Sequence, residues 1–113
     1  MRLELQQGEV FLEDFALRAR WYVREAGGEV AFRFQKAVDA TLALLCVQPG
    51  LGRKRRFRNP KLHGLHSFPV QRPFNRLLIF YRVGSDAFHA VRLMHGARDL
   101  PRRLTEPPMP DAG

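Results

Sequence analysis

Four histidines, one cysteine and a crowd of basic side chains are what this 113-residue chain offers to chemistry. Arg and Lys stabilise charge on a phosphate, and His or Lys move protons near neutral pH. In the second half of the chain the candidates of those types are Lys61, His63, His66, Arg82, Arg92, His95 and Arg98, among thirteen Lys/Arg over residues 51–103. Their spacing assembles no diagnostic pair. Arg92 and His95 are three apart, so on a regular strand they point to opposite faces, and they converge only if the strand bends or ends near Met94. If the chain cuts RNA, Arg82, Arg92 and His95 are the catalytic candidates; if it acts by contact, Arg92, His95 and Arg98 are the candidates for touching a target. The run His95-Gly96-Ala97-Arg98-Asp99 also reads as a structural corner, with Gly96 allowing a tight bend and Asp99 holding Arg98 or accepting backbone N–H groups. His63 and His66 flank Gly64-Leu65 without a cysteine or carboxylate nearby, so no metal is expected. Gly-rich phosphate loops, Ser-His-Asp arrangements and zinc motifs are missing from the sequence, and no cofactor is expected.

Charge is segregated. Residues 1–50 carry six Lys/Arg and seven Asp/Glu, whereas residues 51–103 carry thirteen Lys/Arg against only Asp86 and Asp99. Drift toward an Arg-rich composition would not separate the charges in this way. The basic half attracts a polyanion or an acidic protein surface. Its densest part is Arg53, Lys54, Arg55 and Arg56, followed by Arg58 and Lys61, a solvated loop or a patch for a polyanion or an acidic partner.

The elements that must position these groups follow from periodicity. Leu3 to Leu5 alternates as a brief strand. Glu9 to Ala26 is a helix, with Phe11, Leu12, Phe15, Ala16, Ala19, Tyr22 and Val23 on one stripe, acids early, arginines late, and Gly27-Gly28 stopping it. Glu29 to Val47 repeats the period with Val30, Phe34, Ala37, Val38, Thr41, Leu44 and Leu45, and the short break makes the two helices an antiparallel hairpin. Cys46 reads as a small buried hydrophobe, and one cysteine allows no internal disulfide, as suits a reducing cytoplasm. Strands are expected over 66–70, over 76–83 and, after the Gly84-Ser85-Asp86 turn, over 87–95. The fold class is α+β, a helical hairpin on a small antiparallel sheet in the order β-α-α-β-β-β, with one domain over 1–104 and a disordered tail over 105–113. The sequence shows neither a signal peptide nor a membrane span.

That order, together with Phe68-Pro69-Val70, Arg72-Pro73-Phe74-Asn75, Leu78-Ile79-Phe80-Tyr81-Arg82 and Val91 through Leu100, resembles the RelE/ParE superfamily of type II toxins over residues 2–104, in particular the ParE-like, plasmid-stabilisation branch. The resemblance implies a growth-inhibiting toxin neutralised by a cognate antitoxin encoded nearby, in a possible hetero-oligomer with it. On the ParE side the implied target is DNA gyrase and the chain acts by binding, without being an enzyme. On the RelE side it is a ribosome-dependent mRNA endoribonuclease. A non-toxic nucleic-acid-binding module is the remaining reading, carried by the basic half alone.

Overall fold

The chain is described by a computed structural model that covers residues 2–96 and 99–108. Its elements run β1 (Glu4–Gln7), α1 (Glu9–Ala26), α2 (Gly28–Val47), β2 (Arg53–Lys54), β3 (His66–Pro69), β4 (Leu77–Val83), β5 (Ala87–His95) and α3 (Leu100–Leu104), with single 3-10 turns at Pro49–Leu51 and Pro60–Leu62. Periodicity located both long helices. They are joined through Gly27, whose φ of 92° is a conformation open mainly to glycine.

The sheet has five strands in the order β1-β5-β4-β3-β2. β3, β4 and β5 form the expected antiparallel meander, but the sheet as a whole is mixed, because β1 lies parallel to β5 with Glu4 opposite Ala87 and Gln7 opposite Ala90. The α1–α2 hairpin between β1 and the meander is what carries the chain back across the sheet to allow parallel pairing. β2 and α3 are additions to the order read from sequence. Two residues of strand and a five-residue helix containing Pro101 are too short to leave a periodic signal.

Alternation along β4 and β5 gives the sheet two apolar faces. Leu77, Ile79, Tyr81, Phe88, Ala90 and Leu93 pack under the helical hairpin with Phe11, Phe34, Val38, Leu42 and Leu45. Phe80 and Met94 face the other way, where Leu62, Leu65 and Leu104 cover them. The α1 stripe is rotated from its sequence reading: Leu12 and Val23 are exposed, while Asp14 and Arg18 are buried among the apolar positions. Cys46 is fully buried, and burial pushes its thiol pKa up, which keeps it protonated and unreactive.

Candidate functional site

β5 outruns its neighbour, and that mismatch creates the central polar feature. β1 stops at Gln7, Gly8 N–H still donates to Ala90 O (3.0 Å), and the chain then turns into α1. The outer edge of β5 beyond Ala90 therefore lacks a strand. Asp14, one and a half turns into α1, takes over, its carboxylate accepting the Leu93 backbone N–H at 3.0 Å. The same carboxylate accepts Arg92 Nε at 2.8 Å and Nη2 at 3.1 Å. Arg92 Nη1 points toward the end of α3 and donates to Leu104 O (2.9 Å) and Glu106 O (2.7 Å). One guanidinium thus joins α1, β5 and the C-terminal segment, and it caps carbonyls that the end of a helix leaves without partners. Two residues assigned by sequence to the tail, Thr105 and Glu106, are held here, whereas residues 109–113 lie outside the described residues.

A role in touching a target would need Arg92 on an exposed strand surface; in the structure it is 4% exposed. The expectation failed because strand alternation says which face a residue takes and says nothing of what covers that face. Asp14 was missed altogether. Its signal was available, since it falls on the apolar side of α1, three residues after Phe11 and beside Phe15, where a carboxylate requires a partner.

His95 ends β5 and is half-buried beside Arg18 of α1 and Arg103 of α3. Burial, then the charges of Arg18, Arg103 and Arg76, hold its pKa below the ordinary imidazole value, so it is neutral at pH 7. Gly96 matters for space more than for a bend: its φ is not left-handed, and a Cβ there would come within 2.7 Å of Leu78 Cδ1, so the Leu78 side chain would have to shift. Asp99 has the left-handed conformation instead, at φ 59°. Its side chain is 69% exposed and faces Arg102 at 3.8 Å, while Arg98 lies outside the described residues.

The three nuclease candidates do not share one cleft. Arg82 and Arg92 line a cleft with Lys61, Leu65 and Leu104, while Arg92 and His95 line a second one with Arg18, which Arg82 does not reach. Arg82 is also tied down, donating from Nη2 to Lys61 O (2.7 Å) and from Nε to His63 O (3.1 Å). His66 stacks on Tyr81 with ring centroids 5.3 Å apart. No group of three or more metal-ligating side chains occurs among the described residues.

The basic run ends up on the opposite edge of the sheet. Arg53 and Lys54 form β2, paired only with Ser67 and His66 of β3. Arg53, Lys54, Arg56, Arg58 and Lys61 are exposed. Arg55 differs from them: its Nε donates to Ser67 Oγ at 2.8 Å, and its guanidinium lies 5.7 Å from the Phe80 ring centre. Burial lowers its pKa.

The family model described as the ParE toxin of the type II toxin–antitoxin system, parDE, matches residues 9–100. A solved structure of the chromosomal ParDE toxin–antitoxin system from P. aeruginosa is similar in fold, with a TM-score of 0.67, 17% identity, and coverage of 83% of this chain and 96% of that one. No curated protein matches the chain in sequence.

Proposed function

The chain belongs to the ParE toxin family of type II toxin–antitoxin systems, and from that premise we propose that it arrests growth by binding its target, DNA gyrase, rather than by cutting RNA. The observation that carries this reading is the state of Arg92. A nuclease needs a guanidinium free to meet a crowded phosphate, but Arg92 is buried and already bonded to Asp14 and to the carbonyls at the end of α3. Arg82 is likewise bonded to the 61–63 segment, and His95, which shares a pocket with the bonded Arg92, stands apart from Arg82.

A toxin of this type has a cognate antitoxin. We place its contacts on exposed apolar residues of α1, including Val10 and Leu12, and on the cationic edge formed by Arg53, Lys54, Arg56, Arg58 and Lys61. An acidic, partly disordered antitoxin segment is suited to such a surface, becoming ordered as it binds. Among the described residues no helix is long and apolar enough to cross a membrane, and the proposed action on gyrase calls for a toxin in the cytoplasm.

The test is direct. Purified chain added to gyrase should block supercoiling of relaxed plasmid, and the antitoxin should restore it, while mRNA on purified ribosomes stays intact. Cleavage of that mRNA with gyrase left active would overturn the reading in favour of the RelE-like endoribonuclease. The cleft that holds Lys61 beside Arg82 and Arg92 would then be the place to look for its active site.

A further inference from the structure

Arg18 and Arg92 are both buried arginines beside the same stretch of β5, yet only one has been given a counter-charge. Arg18 is 9% exposed. Its guanidinium sits 5.1 Å from the Trp21 ring centre, and it has neither a hydrogen bond nor an ion pair among the described residues. The two acids that line the same cavity are engaged elsewhere: Asp14 is taken by Arg92 and Leu93, and Glu106 reaches Arg102 at 3.4 Å. Burial lowers the Arg18 pKa, and repulsion from Arg103 lowers it further against the opposing effect of Tyr22. A buried cation without an anion is costly.

The space beside it is shaped to relieve that cost. Arg18, His95 and Arg103 line a cavity of about 40 Å³ between α1, the end of β5 and α3, together with Arg92 and the already paired acids Asp14 and Glu106. By that measure one water needs roughly 10–15 Å³, so the cavity has room for one tetrahedral oxyanion and none for a nucleotide. Guanidinium groups match the geometry of such anions. We propose that this cavity is an anion site, in which Arg18 and Arg103 hold a single oxyanion and His95 joins them as a third donor. The shared chemistry is one phosphate, sulfate or carboxylate anion free in solution. The site is independent of the toxin's target and of the antitoxin.

The groups facing His95 fix the expected pH dependence. The cations are Arg18 from α1, Arg103 from α3 and Arg76 just before β4, and together with burial they keep the imidazole neutral at pH 7; Arg92 and the carboxylates of Asp14, bonded to Arg92, and Glu106, paired with Arg102, line the same cavity. An arriving anion offsets the cations and raises the imidazole pKa, so the bound state takes up a proton that the free state lacks. Affinity therefore rises as pH falls from about 7.5 toward 5.5, through the range in which His titrates.

Sulfate is the probe of choice, because its charge does not change over this range. Calorimetric titration of the full chain with sulfate, at fixed ionic strength set by chloride, should show saturable 1:1 binding that is at least threefold tighter at pH 5.5 than at pH 7.5. Arg18→Gln and Arg103→Gln should each weaken it tenfold or more, and His95→Gln should flatten the pH dependence. Arg18→Gln in chloride should melt no lower than the parent, since it removes an uncompensated buried charge; this separates loss of the site from loss of the fold. A parallel titration with acetate distinguishes a site that also accepts a carboxylate from one that takes only tetrahedral anions. Absence of saturable binding by both anions overturns the proposal. So does sulfate binding that survives Arg18→Gln, which would belong to another basic surface such as the 53–61 run.

Discussion

Arg92 is 4% exposed, with a carboxylate and backbone carbonyls around its guanidinium, whereas Arg53, Lys54, Arg56, Arg58 and Lys61 stand in solvent on or beside an edge strand. Both regions come from the basic half of the chain. At Arg92 the charge is sealed and holds three segments together. At the edge the charges are paid out to solvent, where they keep a two-residue strand from pairing with other sheets and remain available to a partner. The difference teaches that net charge locates a basic half, while the presence of a buried acid decides which of its cations are structural.

Removing the sealed charge should give the largest effect. Arg92→Ala leaves the Asp14 carboxylate buried and the end of α3 uncapped, and truncating one member of such a pair costs about 3–5 kcal/mol. That is a large share of the roughly 5–15 kcal/mol available to a domain. An arginine serving only to touch a target from an exposed strand would give the opposite, a variant that folds nearly as well as the parent. Urea unfolding of Arg92→Ala, Asp14→Ala and the double variant decides between them, with the double variant expected to lose much less than the sum of the singles. A single variant within about 0.5 kcal/mol of the parent would show that the contact holds nothing together.

Changing the open charges should leave stability alone and alter association. Reversing Arg53, Lys54, Arg56 and Arg58 to Glu should shift unfolding by no more than about 0.5 kcal/mol per site, because these side chains are exposed. Binding to the antitoxin should weaken at least tenfold, about 1.4 kcal/mol, and the loss should shrink as salt is added. Arg55 is left out of this set, since it donates to Ser67. If the reversed chain binds its antitoxin as tightly as the parent at low salt, the edge is only a solubility device and the comparison loses its functional half.

Much of the frame was legible. The apolar period gave α1 as Glu9–Ala26, the span found, and the Gly84-Ser85-Asp86 turn between apolar runs placed β4 and β5 within a residue of their observed bounds. The side of α1 that faces the core was not legible. Leu12 and Val23 looked buried and are exposed, because Asp14 and Arg18 occupy the inward positions. An acid on an apolar stripe shows that a partner is needed, but that partner lies 78 residues away, and local pattern cannot name it. The parallel β1–β5 pairing was hidden for the same reason, since it is a contact between the first and last strands.

A smaller effect is expected where the basic edge is anchored. Tyr81 is fully buried, and its hydroxyl donates to Pro49 O at 2.7 Å, fixing the turn that leads into β2. Tyr81→Phe should cost about 1 kcal/mol and leave every cation in place. If antitoxin affinity then falls at a temperature where the variant is fully folded, the edge depends on being held in position as well as on its charge. An unchanged affinity assigns the effect to charge alone.

Asp99 should show the smallest charge effect, although sequence made it the natural partner of a nearby arginine. Its carboxylate is 69% exposed and 3.8 Å from an equally exposed Arg102, and pairs of this kind contribute about 0–1 kcal/mol. What the position requires is backbone. At φ 59° the residue is in the left-handed region, which Asp and Asn tolerate and β-branched residues do not. Asp99→Asn removes the charge and keeps that tolerance, so it should melt within about 0.5 kcal/mol of the parent. Asp99→Val removes the charge and the tolerance together, and it should lose roughly 1–2 kcal/mol more, the cost of a left-handed conformation. Thermal melts of the two variants side by side separate the contributions. Equal losses in both would return the charge to the corner and place Asp99 with Arg92, among the sealed ions of the structure.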